Sequence, residues 1–190
     1  IMQRNIYSIP NLLSFLRLGL VPVLVGLAYT SKPMVFLWVL AVALLSDVLD
    51  GYLARKLNQA SELGARLDSW GDVLTYGCMI FGLHQLWPEI FTAQADYLLA
   101  AVVFFTLPVA IALSKFGSYP SYHTWGAKLA ALLIAPAYYL LILGDSDSFF
   151  RMVIIFNALV AAEEVVITLI LSRPRSNVDS VFSLLGRLEK

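Results

Sequence analysis

The feature that most constrains this chain is its succession of apolar runs. Each is close to the roughly 20 residues a helix needs to cross a bilayer. They cover about 11–29, 34–53, 64–87, 97–114, 127–143 and 149–171. In lipid every backbone polar group must be satisfied internally, and consecutive apolar runs can do this only as helices. The sequence therefore predicts an all-α integral membrane protein. It reads as a six-transmembrane-helix bundle forming one domain over residues 1–190. Composition agrees: 59% of residues are hydrophobic and only 14% charged, against about 25% charged in soluble domains. Zero net charge gives no global sign of nucleic-acid binding. A single cysteine, Cys78, rules out an intramolecular disulfide and a thiolate metal cluster. The opening residues read as a short polar entry to a retained span, without a cleavage site. From Val178 to Lys190, apolar and polar residues interleave as in a short amphipathic helix lying on the membrane surface.

Four carboxylates interrupt the second and third runs. Asp47 and Asp50 are three residues apart, and Asp68 and Asp72 are four apart, so each pair shares one helix face. An Asp at the centre of a membrane helix costs about 2.5–3.5 kcal/mol on insertion scales, which makes intramembrane acids functional candidates. Four converging acids need counter-charge. Two divalent cations with oxygen ligands, magnesium, manganese or calcium, would supply it. Pairs of metals clamped by carboxylates recur in phosphoryl and phosphodiester chemistry. Gly51, Ala54 and Gly64 leave room for a ligand against backbone, and Arg55 and Arg66 offer guanidinium groups suited to phosphate oxygens. The residues alone thus reach lipid phosphate chemistry at head-group level. A structural ion-pair cluster with Arg55 and Arg66 is the competing reading. Buried pairs rarely gain enough stability to account for four such acids.

Placing the N-terminus inside puts eleven of the thirteen basic residues on the cytoplasmic side; only Lys32 and Arg151 fall outside. The positive-inside rule favours that topology. The acids then lie at the cytoplasmic ends of spans two and three, within reach of soluble metal and nucleotide.

The pattern Asp47-x2-Asp50-Gly51-x2-Ala54-Arg55-x8-Gly64-x3-Asp68-x3-Asp72 resembles the signature of the CDP-alcohol phosphatidyltransferases at all eight fixed positions. Ile9-Pro-Asn-Leu-Leu-Ser-Phe-Leu-Arg17 resembles that family's usual entry to its first span. The resemblance implies transfer of a substituted phosphate from a CDP-linked lipid, CDP-diacylglycerol above all, to an alcohol with release of CMP. It implies magnesium or manganese as two bound cations, held by Asp47, Asp50, Asp68 and Asp72. Asp72 would also act as general base on the acceptor hydroxyl, since a carboxylate within hydrogen-bond reach can take its proton. Gly51, Ala54, Arg55 and Gly64 would line the donor site, with Asn11 and Ser14 reaching the cytidine. Many relatives are homodimers, so a homodimer is expected on resemblance alone.

The acceptor is less legible. Leu67-Asp-Ser-Trp-Gly-Asp72-Val-Leu-Thr-Tyr-Gly77 is similar to the phosphatidylserine synthase branch, which favours a small unphosphorylated polar alcohol. A phosphorylated acceptor of the glycerol 3-phosphate type is the alternative. Lys128 and Lys115 are the candidate acceptor-binding cations. Arg17 either contacts donor phosphate or snorkels to the interface. Glu163 and Glu164 sit mid-span without an assigned role. Two readings from other classes are a cation transporter and a non-catalytic scaffold derived from the enzyme family. The bunching of acids at one membrane face, away from the midplane site of many transporters, argues against the first.

Overall fold

The computed structural model describes residues 8–57, 59, 61–117, 122, 124–144, 146–174, 178, 180, 181, 183 and 184; the side chains of Arg55, Glu62 and Ala65 lie outside that description. Among the described residues the regular structure is entirely helical. It comprises α1 (Ile9–Tyr29), α2 (Pro33–Lys56), α3 (Glu62–Leu86), α4 (Pro88–Ala93), α5 (Ala95–Phe116), α6 (Trp125–Leu143) and α7 (Asp147–Ile170). Two compact units result, Ile1–Ala93 and Gln94–Lys190.

Five helices, α1, α2, α5, α6 and α7, are long and apolar enough to cross a membrane. Their outward faces carry Leu12, Val23, Trp38, Leu45, Leu99, Leu132, Ile155 and Leu159 exposed, which suits lipid and would be unfavourable in water. The third expected span, α3, has 25 residues and would reach about 37 Å. Its acids and Arg66 dilute its apolar character, and it is not among the five.

In the first unit α1 is the hub, packing along both α2 and α3. Pro10 sits in the first turn of α1, where proline fits because no N–H partner is needed. Ser8 caps the helix by accepting from the Asn11 N–H. Ser61 likewise caps α3 by accepting from Gly64 N–H at 3.0 Å. Between α2 and α3, Phe36 packs where a Cβ at Gly82 would stand, so glycine there permits the close approach.

In the second unit α7 packs on both α5 and α6. Gly117, at φ 66°, ends α5 in the left-handed conformation that glycine adopts without strain. Thr124 caps α6 by accepting from Ala127 N–H at 3.1 Å. Ser146 precedes α7 but makes no side-chain cap there. Asp147 pairs with Arg151 at 3.0 Å instead.

The tail differs from expectation where it is described. Val178 and Leu184 are buried against Tyr122 and Ile167, and Val178 N–H donates to the Tyr122 carbonyl at 2.8 Å. These apolar residues pack on protein and do not face a membrane surface. Burial pushes the Tyr122 hydroxyl above its ordinary range, and it remains a neutral partner of Thr168 at 2.8 Å. Glu163 has a role the sequence left open: its Oε1 accepts from Val181 N–H at 3.1 Å, fastening the tail to α7.

Candidate active site

The four acids converge inside the first unit. Asp47 and Asp50 come from α2, with Gly51 and Ala54 on the same helical face, and Asp68 and Asp72 come from α3. Asp50 is buried, while the carboxylates of Asp47, Asp68 and Asp72 are partly exposed. Asp47, Asp50 and Asp68 each place an oxygen within 4.8 Å of the other two. Oxygens bound at about 2.0–2.6 Å to one hard divalent cation lie within about 5 Å of each other. The donor set therefore fits such an ion in both chemistry and spacing.

Arg17, read from the sequence as either a donor-phosphate contact or a snorkelling residue, lies at this centre. It comes from α1, is 1% exposed, and its guanidinium faces all four acids. Nη1 pairs with Asp47 and lies 3.1 Å from Asp72 Oδ1; Nη2 lies 2.9 Å from Asp68 Oδ1 and 3.5 Å from Asp50 Oδ2. Snorkelling to the interface is thereby excluded for this conformation. Arg17 Nε is buried without a hydrogen-bond partner among the described residues. Gly71 makes the position possible: a Cβ there would stand 2.5 Å from Arg17 Nε and 2.7 Å from its Cζ. The sequence contained one hint, that Arg17 closes the segment resembling the family's entry to span one.

The expected donor residues of α1 are engaged with protein. Ser14 Oγ donates to Asp50 Oδ2 at 2.7 Å. Asn11 is buried, and its Oδ1 accepts from Ser61 Oγ at 3.5 Å. Gly64 admits it closely, since a Cβ at that position would lie 2.9 Å from Asn11 Oδ1. The structure thus brings Asn11, Ser14, Gly64 and the four acids into one helix-packed region. Arg55 belongs to α2, with its side chain outside the description.

Lys115 and Lys128 belong to the second unit. Lys115 Nζ donates to the carbonyls of Thr168 and Leu169 at 3.0 and 2.8 Å. It thereby satisfies carbonyls at the end of α7, which lack intrahelical partners. Lys128 lies in the first turns of α6 with its ammonium 4.8 Å from the Trp125 ring centroid. The helix dipole disfavours a cation at that end, so its placement calls for another reason.

Helices long and apolar enough to cross a membrane, with carboxylates gathered beside small residues and an arginine, define a helical membrane protein with a polyacidic centre suited to a cation. The chain matches the CDP-alcohol phosphatidyltransferase family over residues 7–170. It belongs to that enzyme family. Among curated proteins it is 39% identical over 130 residues to "Cardiolipin synthase (CMP-forming)" of Rattus norvegicus, covering 63% of this chain and 43% of the relative. To the protein of that name from Streptomyces coelicolor it is 34% identical over 149 residues, covering 75% and 68%. To "CDP-diacylglycerol--glycerol-3-phosphate 3-phosphatidyltransferase" of Rickettsia bellii it is 34% identical over 79 residues, covering 40% and 44%. The chain spans less than half the length of the rat and human relatives. No solved structure matches significantly.

Proposed function

We propose that this chain transfers a phosphatidyl group from CDP-diacylglycerol to a hydroxyl of a phosphate-bearing glycerol acceptor, releasing CMP. The observation that carries the reading is the convergence of Asp47, Asp50, Asp68 and Asp72 from two helices onto one point. Asp47, Asp50 and Asp68 would hold divalent cations, magnesium or manganese, with Asp72 contributing. When bound, these supply charge stabilisation to non-bridging and leaving oxygens. Asp72 accepts the proton of the acceptor hydroxyl as its oxygen attacks the phosphorus bearing diacylglycerol. The bond from that phosphorus to CMP breaks, and CMP departs. Gly51, Ala54, Arg55, Gly64 and Asn11 line the donor site. Ser14 acts on Asp50, in place of the cytidine contact expected of it.

The acceptor reading moves away from the small unphosphorylated alcohol. The relatives' names specify cardiolipin and glycerol 3-phosphate chemistry, which supports the phosphorylated alternative over the serine-synthase-like branch. Lys128 is the proposed contact for acceptor phosphate, and Lys115 is occupied by α7 carbonyls. With α3 counted as a sixth span and the N-terminus inside, the site opens to the cytoplasm. A homodimer is part of the same reading.

The test offers glycerol 3-phosphate, phosphatidylglycerol and serine separately to purified protein with CDP-diacylglycerol and manganese, and identifies lipid products by mass spectrometry. Phosphatidylglycerophosphate or cardiolipin is expected. Phosphatidylserine as sole product would overturn the acceptor assignment. Cation flux into liposomes without any lipid product would favour a transporter.

A further inference from the structure

Four carboxylates and one guanidinium leave the centre three negative charges in excess. Arg17 Nη1 and Nη2 meet oxygens of Asp47, Asp50, Asp68 and Asp72, and three of those residues form the oxygen set that fits a cation. The guanidinium lies among the carboxylates that would hold an ion, so a cation entering there meets a like charge and competes with it for space and lone pairs. Two features separate this arrangement from a permanent structural ion pair. Arg17 Nε is buried without a partner among the described residues, and a buried orphan donor is destabilising. The guanidinium also lies in a notch that only glycine leaves open, at Gly71 between Asp68 and Asp72 on α3. The eight-residue family pattern leaves position 71 unspecified.

We propose that Arg17 is a built-in counter-cation that holds the four carboxylates together without metal and yields Asp47 and Asp68 to an incoming divalent ion. Gly71 provides the notch in which it rests. This rests on the metal reading above and deepens it. Arg17 sets how tightly the centre binds metal, because every ion bound must first displace a resident positive charge. It also keeps the acids from repelling one another apart in the metal-free chain. Once displaced, the guanidinium still adds one positive charge near two bound cations, which leaves the loaded centre with a net positive charge suited to a diphosphate.

The test is manganese binding to full-length, EDTA-stripped protein in detergent, followed by electron paramagnetic resonance of free Mn2+, with thermal unfolding recorded in parallel. Arg17→Met keeps side-chain length and removes the charge. Gly71→Ala keeps every charge and pushes the guanidinium out of its notch. Both variants are expected to bind Mn2+ about tenfold more tightly than wild type, because a like charge held among the ligand carboxylates is removed or moved away. Both should melt lower than wild type in EDTA and recover more on adding Mn2+. Gly71→Ala guards against misfolding of Arg17→Met, since its clash is with the movable end of a flexible side chain. Equal affinity in wild type and both variants overturns the counter-cation role while leaving the metal site standing. Weaker binding in both variants would make Arg17 a support for metal binding and also overturns it. Absence of Mn2+ binding in every protein removes the metal reading and this inference together.

Discussion

Ser14 offers a sharp test of how the acid centre is held. Its hydroxyl lies 2.7 Å from Asp50 Oδ2 and 3.3 Å from the Pro10 carbonyl. The shorter contact, to a carboxylate, is the stronger of the two. Both residues are buried. In Ser14→Ala the buried Asp50 keeps Arg17 Nη2 at 3.5 Å, which is beyond a good hydrogen bond. A hydrogen bond to a charged group contributes about 1.5–3 kcal/mol. A loss of about 2 kcal/mol would shift the folding equilibrium roughly thirtyfold. For a chain of this size that corresponds to a fall of about 4–8 °C in melting temperature. The assay is thermal unfolding of detergent-solubilised protein without ligand, comparing Ser14→Ala with Ser14→Thr, which retains the hydroxyl and should stay near wild type. If Ser14 instead reaches the cytidine, Ser14→Ala would raise KM for CDP-diacylglycerol and leave the ligand-free melting temperature within about a degree of wild type. That result would refute the placement of Ser14 on Asp50.

Other outcomes follow from the same geometry. Gly64→Ala sets a gain in helix propensity of at most about 1 kcal/mol against overpacking of about 1–3 kcal/mol on Asn11, whose Oδ1 would lie 2.9 Å from the new Cβ. The net expectation is a lower melting temperature together with a raised donor KM. Lys115→Met removes two hydrogen bonds to α7 carbonyls and should lower stability by about 2 kcal/mol with acceptor KM unchanged. Lys128→Met should raise acceptor KM with stability unchanged, and steady-state kinetics with varied acceptor separates the two lysines. Glu163→Gln weakens the acceptor for Val181 N–H and should increase hydrogen exchange at the described tail residues without altering donor KM.

The helices were legible because their signals are local. Apolar runs near the length of a span, ended by Thr30, Gly117 and Gly144, place α1, α5 and α6 within a few residues of the structure. Starts were harder. Pro10 marks an end as readily as a beginning until Ser8 is seen capping the turn. The acids were legible because their spacing on one helix survives into the fold. What the sequence hid depends on which helix faces which. Arg17 lies far from the acids in the chain and reaches them only because α1 packs on both α2 and α3, and because Gly71 leaves the space. Glu163 looked like a mid-span acid in need of a partner. Its partner is a backbone N–H eighteen residues further on, which no side-chain pattern displays. The acceptor reading rested on the short run through Thr75-Tyr76-Gly77, whereas the relatives similar over 130 and 149 residues are named cardiolipin synthases, which backs the phosphorylated alternative better.

We propose that the acid centre on α2 and α3 performs the transfer. The most direct test is CMP release from CDP-diacylglycerol with a glycerol-phosphate acceptor, comparing wild type with Asp72→Asn across a manganese titration. Wild type should release CMP only when metal is present. The variant should lose at least about a hundredfold, the scale of a lost general base, with its melting temperature held or raised as like-charge repulsion is relieved. Metal-independent release, or full release by Asp72→Asn, would contradict it.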